Sequence, residues 1–307
     1  MDDNVSMLSL NTAIVGLMKG GEDFQILQKS ARRGEDPLAA MVPAVAAFLR
    51  EPLLLAALPR MPIVDAAMEE VLAHMRRYIL FRFEALSGPE STDPVVPTEF
   101  ICALARQCFF SGYAFFADEN ELQRIAGARK ALEEMLKERT VNPRTLESSL
   151  AVAALYDSLH TLKGCERLLE HPIADWSEVF RPIVQEQIKN RTREREIAMQ
   201  LASITGIDDA ISLAVRAQYE ENPYPRWVTV SSPTAGTIEN LSRSLRPGHE
   251  VRVRPRPVPI LIAGCGTGIQ SIRVAQTYPD SEILAVDLSL ASLAYSSSSP
   301  TWIEVSP

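Results

Sequence analysis

The sequence predicts an α plus α/β chain: an irregular all-helical N-terminal domain followed by the opening β-α-β of a doubly wound parallel sheet. Three observations predict it. Helical periodicity recurs from about Asp36 to Gln218, a proline- and serine-rich texture follows, and ILIAGCGTGIQSIRVAQTYPDSEILAVDLS (260–289) reads as strand, glycine turn, helix and second strand.

A chain of 307 residues, 46% of them hydrophobic, has material for about two domains at the usual ~100–200 residues each. The net charge of -8 and pI near 5.2 argue against nucleic acid as a partner, because phosphate binding depends on clustered lysine and arginine. The start, MDDNVSMLSL, is acidic where a secretory signal would be basic, and no apolar run approaches the ~18 residues of a membrane span. The expectation is a cytoplasmic protein without a membrane partner. Cys102, Cys108, Cys165 and Cys265 contain no C-x-x-C pair, so the spacing suggests neither a zinc site nor a disulfide framework.

The first helical element, VDAAMEEVLAHMRRYILFRFEAL (64–86), places Ala67, Val71, Met75, Tyr78 and Phe81 on one stripe. Proline and glycine in 87–97 break it. The next, 99–118, is apolar nearly all round, which predicts a central buried helix, with Cys102 and Cys108 on different faces as small core residues. Segment 119–140 is amphipathic and charged, and 142–164 runs from a proline start to Gly164. KNRTREREIA (189–198) alternates in sign, the pattern of a solvated helix face. No repeat near a 34-residue period emerges, so the domain is irregular rather than an array. It is assigned to 1–218, and 219–259, carrying NPYPRW and a Pro/Ser-rich stretch, to a connector.

In ILIAGCGTG the strand is short, apolar and without alternation, as expected of a parallel strand covered on both sides. Gly264, Gly266 and Gly268 allow a tight turn and close approach of a ligand to the backbone. The helix from near Ile269 to Tyr278 aims its N-terminal N–H groups at the same space. The second strand, 282–287, ends on Asp287, which lies 23 residues beyond Gly264, near the ~20 expected of a strand-tip carboxylate that holds ribose hydroxyls. A dinucleotide fingerprint requires a small third residue at position 269; Ile269 there disfavours a nicotinamide cofactor.

The resulting G-x-G-x-G turn and acidic strand tip resemble the class I S-adenosylmethionine-dependent methyltransferases. AVRAQYEENPYPRWV (214–228), together with ILIAGCGTG and LAVDLSLASLAY, looks like the bacterial tetratricopeptide-linked members, strongly over 208–295 and more weakly upstream. The resemblance implies a Rossmann-like sheet over 260–295. It implies S-adenosylmethionine as cofactor, with Gly264, Cys265, Gly266, Thr267 and Gly268 at its methionine and ribose portions and Asp287 with Leu288 at the ribose. Many members carry an acid two residues before the first glycine, where this chain has Ile262. Pro223 and Pro225 fix turns that present Tyr224 and Trp227 as exposed amphipathic anchors. With Tyr219 and Asn222, these either lid the pocket or dock one domain on the other.

The sheet is expected to be incomplete. Relatives build adenine loops and a substrate wall from later strands, whereas Ser289 caps a helix that SSSSP (296–300) is expected to abandon. The expectation is that the chain leaves its family at about Tyr295 by truncation or frameshift, leaving 296–307 as a divergent tail. It would then be an S-adenosylmethionine-dependent methyltransferase with part of its cofactor site, inactive alone, and with an unknown methyl acceptor. The alternative is a helical protein-interaction module, its partner a protein, carrying a vestigial methyltransferase tail.

Overall fold

The computed structural model describes residues 7–35, 43–86, 96–138, 142–201, 206, 209–221, 223–227, 230, 234–251 and 255–298. It is mostly helical, with one two-stranded parallel sheet near the C-terminus, and divides into two compact units, Met1–Arg191 and Thr192–Pro307.

Helices begin earlier than the expected start near Asp36. α1 (Met7–Lys19) and α2 (Glu22–Arg33) precede Asp36. α2 buries Phe24 and Leu27 on one face, carries Glu22 and Asp23 in its first turn and Arg32 and Arg33 in its last, and is closed by Gly34 at φ 63°. α3 (Pro43–Phe48) and α4 (Pro52–Ala57) are short, and α4 starts on a proline whose missing N–H costs nothing there.

α5 (Ala66–Leu86) and α6 (Thr98–Phe110) form the centre of the first unit. Val71 and Met75 of the α5 stripe are buried, as are Phe100, Cys102, Leu104 and Cys108 of α6, which explains its all-round apolarity. The helix expected over 99–118 nevertheless ends at Phe110, because Gly112 and Tyr113 turn left-handed at φ 64° and 59°. Burial pushes the Cys102 and Cys108 thiols up to about 12. α7 (Glu119–Leu136) begins in a reciprocal capping box between Asp118 and Glu121. Fully buried Phe24, Leu72, Leu150, Trp176 and Phe180 join these helices into one hydrophobic core.

The core also holds an ionic knot. Arg76, 1% exposed, donates to the carbonyls of Phe115 (3.3 Å) and Phe116 (2.7 Å) and pairs with Glu121 at 3.5 Å. The Tyr156 hydroxyl donates to Glu121 at 2.7 Å, and the guanidinium lies 4.3 Å from the Tyr156 ring centroid.

The helix expected over 142–164 stops early: α8 spans Pro143–Ala154, and short 3-10 turns follow at Leu159–Thr161, Cys165–Glu170 and Ile173–Asp175. Short polar side chains compete for the backbone there. Asp157 accepts from Ser158 N at 2.7 Å, and Thr161 Oγ1 donates to the Ser158 carbonyl at 2.7 Å. α9 (Arg181–Val184) then runs through a π turn at Gln185–Lys189 into α10 (Asn190–Gln200). In this turn buried Gln187 accepts the Leu159 N–H at 3.1 Å. Within 189–198 two charges, Arg191 and Glu194, are buried, which corrects the expectation of a wholly solvated face.

The second unit contains α11 (Ala210–Glu221), α12 (Ile238–Leu245), β1 (Val258–Ala263), α13 (Ile269–Thr277), β2 (Ser281–Val286) and α14 (Leu290–Ser298). β1 and β2 pair in parallel with Leu261 opposite Leu284. Two-sided cover does not hold: Val258 and Ile262 are buried, but Leu261 and Leu284 stand 64% and 61% exposed on the other face. α14 continues through Ser296, Ser297 and Ser298, so the serine run does not end the helix at Tyr295. Ser297 and Ser298 bond back to the carbonyls of Leu293 and Tyr295, which accommodates serine within a helical turn. Residues 299–307 lie outside the described residues.

Candidate functional site

The chain turns sharply where β1 ends. Gly264, Gly266 and Gly268 have φ of 69°, 53° and 82°, all left-handed, where an L side chain costs roughly 1–2 kcal/mol. A Cβ at Gly264 or Gly266 would meet nothing within 4 Å, so backbone conformation requires these glycines and the space over them is open. Gly264 N and Cys265 N both donate to the Val286 carbonyl, at 2.8 and 3.1 Å, which binds the turn to the end of β2. Gly268 N donates to the Cys265 carbonyl at 3.0 Å and starts α13, whose first N–H groups have no intrahelical acceptor.

Asp287 reaches this turn from the tip of β2. Its Oδ2 accepts the Gly266 N–H at 2.7 Å and its Oδ1 the Ser289 N–H at 2.9 Å. These bonds occupy two of the roughly four acceptor directions of a carboxylate, leaving capacity for hydroxyl donors. Ser289 caps α14 through Ser292 N at 3.0 Å, as its position predicts, and Glu220 of α11 accepts the Leu290 N–H at 2.6 Å.

The other loop residues divide by exposure. Leu288 is exposed, whereas Cys265 and Thr267 are buried, so Cys265 and Thr267 can present only backbone to a ligand above the turn. Burial, reinforced by the Asp287 carboxylate, pushes the Cys265 thiol up to about 11 and keeps it protonated at neutral pH. Ile262 is buried in the core of the unit.

The NPYPRW segment joins the turn through one aromatic residue. Trp227 is 8% exposed, not an exposed anchor, and its indole Nε1–H donates to the Thr267 carbonyl at 2.8 Å. Thr267 Oγ1 returns a bond to the Pro225 carbonyl at 2.5 Å. Tyr224 is 52% exposed and Tyr219 is solvent-exposed on α11; Asn222 lies outside the described residues.

Sequence reasoning missed Tyr295. Its hydroxyl accepts the Trp227 N–H at 3.0 Å and donates to the Trp227 carbonyl at 2.6 Å, and the two rings meet edge-on at 5.9 Å. No local spacing links residues 68 positions apart, so the sequence carries no signal that pairs them. Glu220 was missed for the same reason.

Chemically, the turn offers open space, a carboxylate acceptor and a helix N-terminus, without an ionised nucleophile. That suits a small ligand with a hydroxylated ring. The first unit holds a groove of about 550 Å³ lined by Arg32, Glu69, Glu70, Phe115 and Phe116. Among the described residues no helix is long and apolar enough to cross a membrane. In comparisons with known protein families, curated proteins and solved structures, nothing matches this chain.

Proposed function

We propose that the second unit is the S-adenosylmethionine-binding portion of a class I methyltransferase. The observation that carries this reading is the convergence of the glycine turn and the Asp287 carboxylate, joined by the Gly266 N–H. The turn fits the cofactor because its glycines leave open space over backbone that could approach a ligand, and because Asp287 retains acceptor capacity.

In this reading Gly264, Gly266 and Gly268 hold the methionine and ribose portions, Asp287 accepts from the ribose hydroxyls, and Leu288 supplies apolar cover. When bound, the cofactor supplies a methyl group activated by its sulfonium. The chain's own work is to bind and orient, because alignment of the reacting atoms and exclusion of water are what such a displacement needs from protein. The carboxylate favours free hydroxyls and repels phosphate, and Ile269 occupies the position where a dinucleotide site has a small residue. The methyl acceptor is unassigned.

Calorimetric titration of the full chain with S-adenosylmethionine tests the reading. Saturable binding in about one-to-one ratio, with S-adenosylhomocysteine competing and NAD not, is expected; no binding of S-adenosylmethionine at millimolar concentration refutes it.

A helical protein-interaction module is the second reading. It is favoured by the groove of the first unit, at which Phe116 stands 83% exposed.

A further inference from the structure

We infer that Trp227 is a positioning residue of the glycine turn, and that the Pro225–Trp227 segment is part of the cofactor site rather than a lid over it. The ligand named here rests on the methyltransferase reading; the positioning itself rests on geometry.

Three contacts carry the inference. The Trp227 indole holds the Thr267 carbonyl, and Thr267, 1% exposed, holds the Pro225 carbonyl in return. The 267–268 peptide is planar, so a fixed Thr267 carbonyl also fixes the direction of the Gly268 N–H. That N–H bonds to the Cys265 carbonyl and opens α13, so the indole sets both the closing of the turn and the aim of the helix N-terminus.

Tyr295 holds the Trp227 backbone in place from α14. Its hydroxyl engages both the N–H and the carbonyl of Trp227, and the Arg226 guanidinium lies 5.6 Å from the Tyr295 ring centroid. The segment is therefore secured at the turn by one side chain and at α14 by another. A mobile lid would need neither bond. A residue that only filled core volume would not need its indole N–H aimed at the carbonyl of the loop that faces the open space.

The test compares the full chain with Trp227→Phe, which keeps a ring but loses the N–H, and Tyr295→Phe, which keeps the ring but frees both backbone groups of Trp227. Two measurements are made on each: hydrogen–deuterium exchange of the peptide covering 264–270, and calorimetric titration with S-adenosylmethionine. Both variants are expected to exchange about tenfold faster in this peptide, with peptides from α5 and α6 unchanged. Trp227→Phe is expected to bind about tenfold more weakly at unchanged stoichiometry, the factor expected for one lost hydrogen bond to a buried group, and Tyr295→Phe, which loses two bonds, at least as weakly.

A merely structural role gives a different result: a lower melting temperature and a reduced stoichiometry from partly unfolded chain, with unchanged affinity and loop exchange. That result overturns the inference. If the unaltered chain binds no S-adenosylmethionine, the functional reading fails, and the exchange measurement alone decides the role of Trp227. If Trp227→Phe does not fold, Tyr295→Phe carries the comparison, and unchanged loop exchange in it overturns the inference.

Discussion

The Gly266 N–H donates to Asp287 Oδ2 at 2.7 Å, tying the middle of the glycine turn to the tip of β2 across 21 residues. Asp287 thus shapes the turn before any ligand arrives. Its second oxygen is bonded to the Ser289 N–H, so the carboxylate also orients the start of α14.

In the proposed methyltransferase reading, Asp287→Ala should therefore remove a ligand contact and the tether of the turn together. Hydrogen bonds to a charged group contribute about 1.5–3 kcal/mol, so S-adenosylmethionine affinity should fall about 10- to 100-fold. Asp287→Asn, which keeps one acceptor oxygen, should lose less. Calorimetry checks both, and equal affinity in Asp287→Ala refutes the assigned ribose contact.

Arg76 and Glu121 form a buried pair with side chains 2% and 5% exposed. Removing only the cation leaves the carboxylate without its charge partner, so Arg76→Ala should destabilise the chain by about 3–5 kcal/mol. The double variant Arg76→Met with Glu121→Gln should be less destabilised than the sum of its single changes. Urea denaturation of the four proteins measures this coupling; strict additivity would deny it.

The geometry of the candidate site was more legible in the sequence than the way it is held. Gly264, Gly266, Gly268 and Asp287 lie within one β-α-β unit, and local spacing brings the acid to the turn. Trp227 and Tyr295 are 68 residues apart, and only the fold pairs them. Among the helices, α6 was visible because it is apolar all round, but its end at Phe110 was not, because the apolar run continues past the left-handed Gly112 and Tyr113; α2 was missed although Phe24 and Leu27 give it an apolar face. The end of α8 was missed because Asp157, Ser158 and Thr161 take over backbone bonds, which hydrophobic periodicity does not register. The continued α14 shows a related limit: three serines weaken a helix, but their hydroxyls can also bond back to the preceding turn.

The cysteines should separate by reactivity. Cys102, Cys108 and Cys265 are buried, with thiols pushed up to about 12, 12 and 11, whereas Cys165 is partly exposed. At pH 8 only about one in a thousand Cys265 thiols would be ionised. Iodoacetamide on the native chain should therefore label Cys165 first, as read by peptide mass spectrometry. The Cys265 rate should rise about tenfold per pH unit, because the thiolate fraction grows until pH reaches its pKa. Rapid labelling of Cys265 at pH 7 would contradict its buried, protonated state.

Asp65 gives a pH-dependent test of the helical unit. It caps α5 by accepting the Met68 N–H at 3.0 Å, and it pairs with Lys19 at 2.8 Å. Burial pushes its carboxyl up, but the Lys19 and Met68 hydrogen bonds outweigh burial and hold it below the ordinary value. A depressed native pKa means that the charge stabilises the fold above the unfolded pKa and loses its effect as pH falls through the native one. Asp65→Ala should cost about 1 kcal/mol at pH 7 through the lost cap alone. Asp65→Asn retains a capping oxygen and should isolate the charge, with its deficit constant above about pH 5 and shrinking below about pH 4. Denaturation midpoints across that range read the difference, and a deficit that grows toward acid pH would reverse the assigned sign.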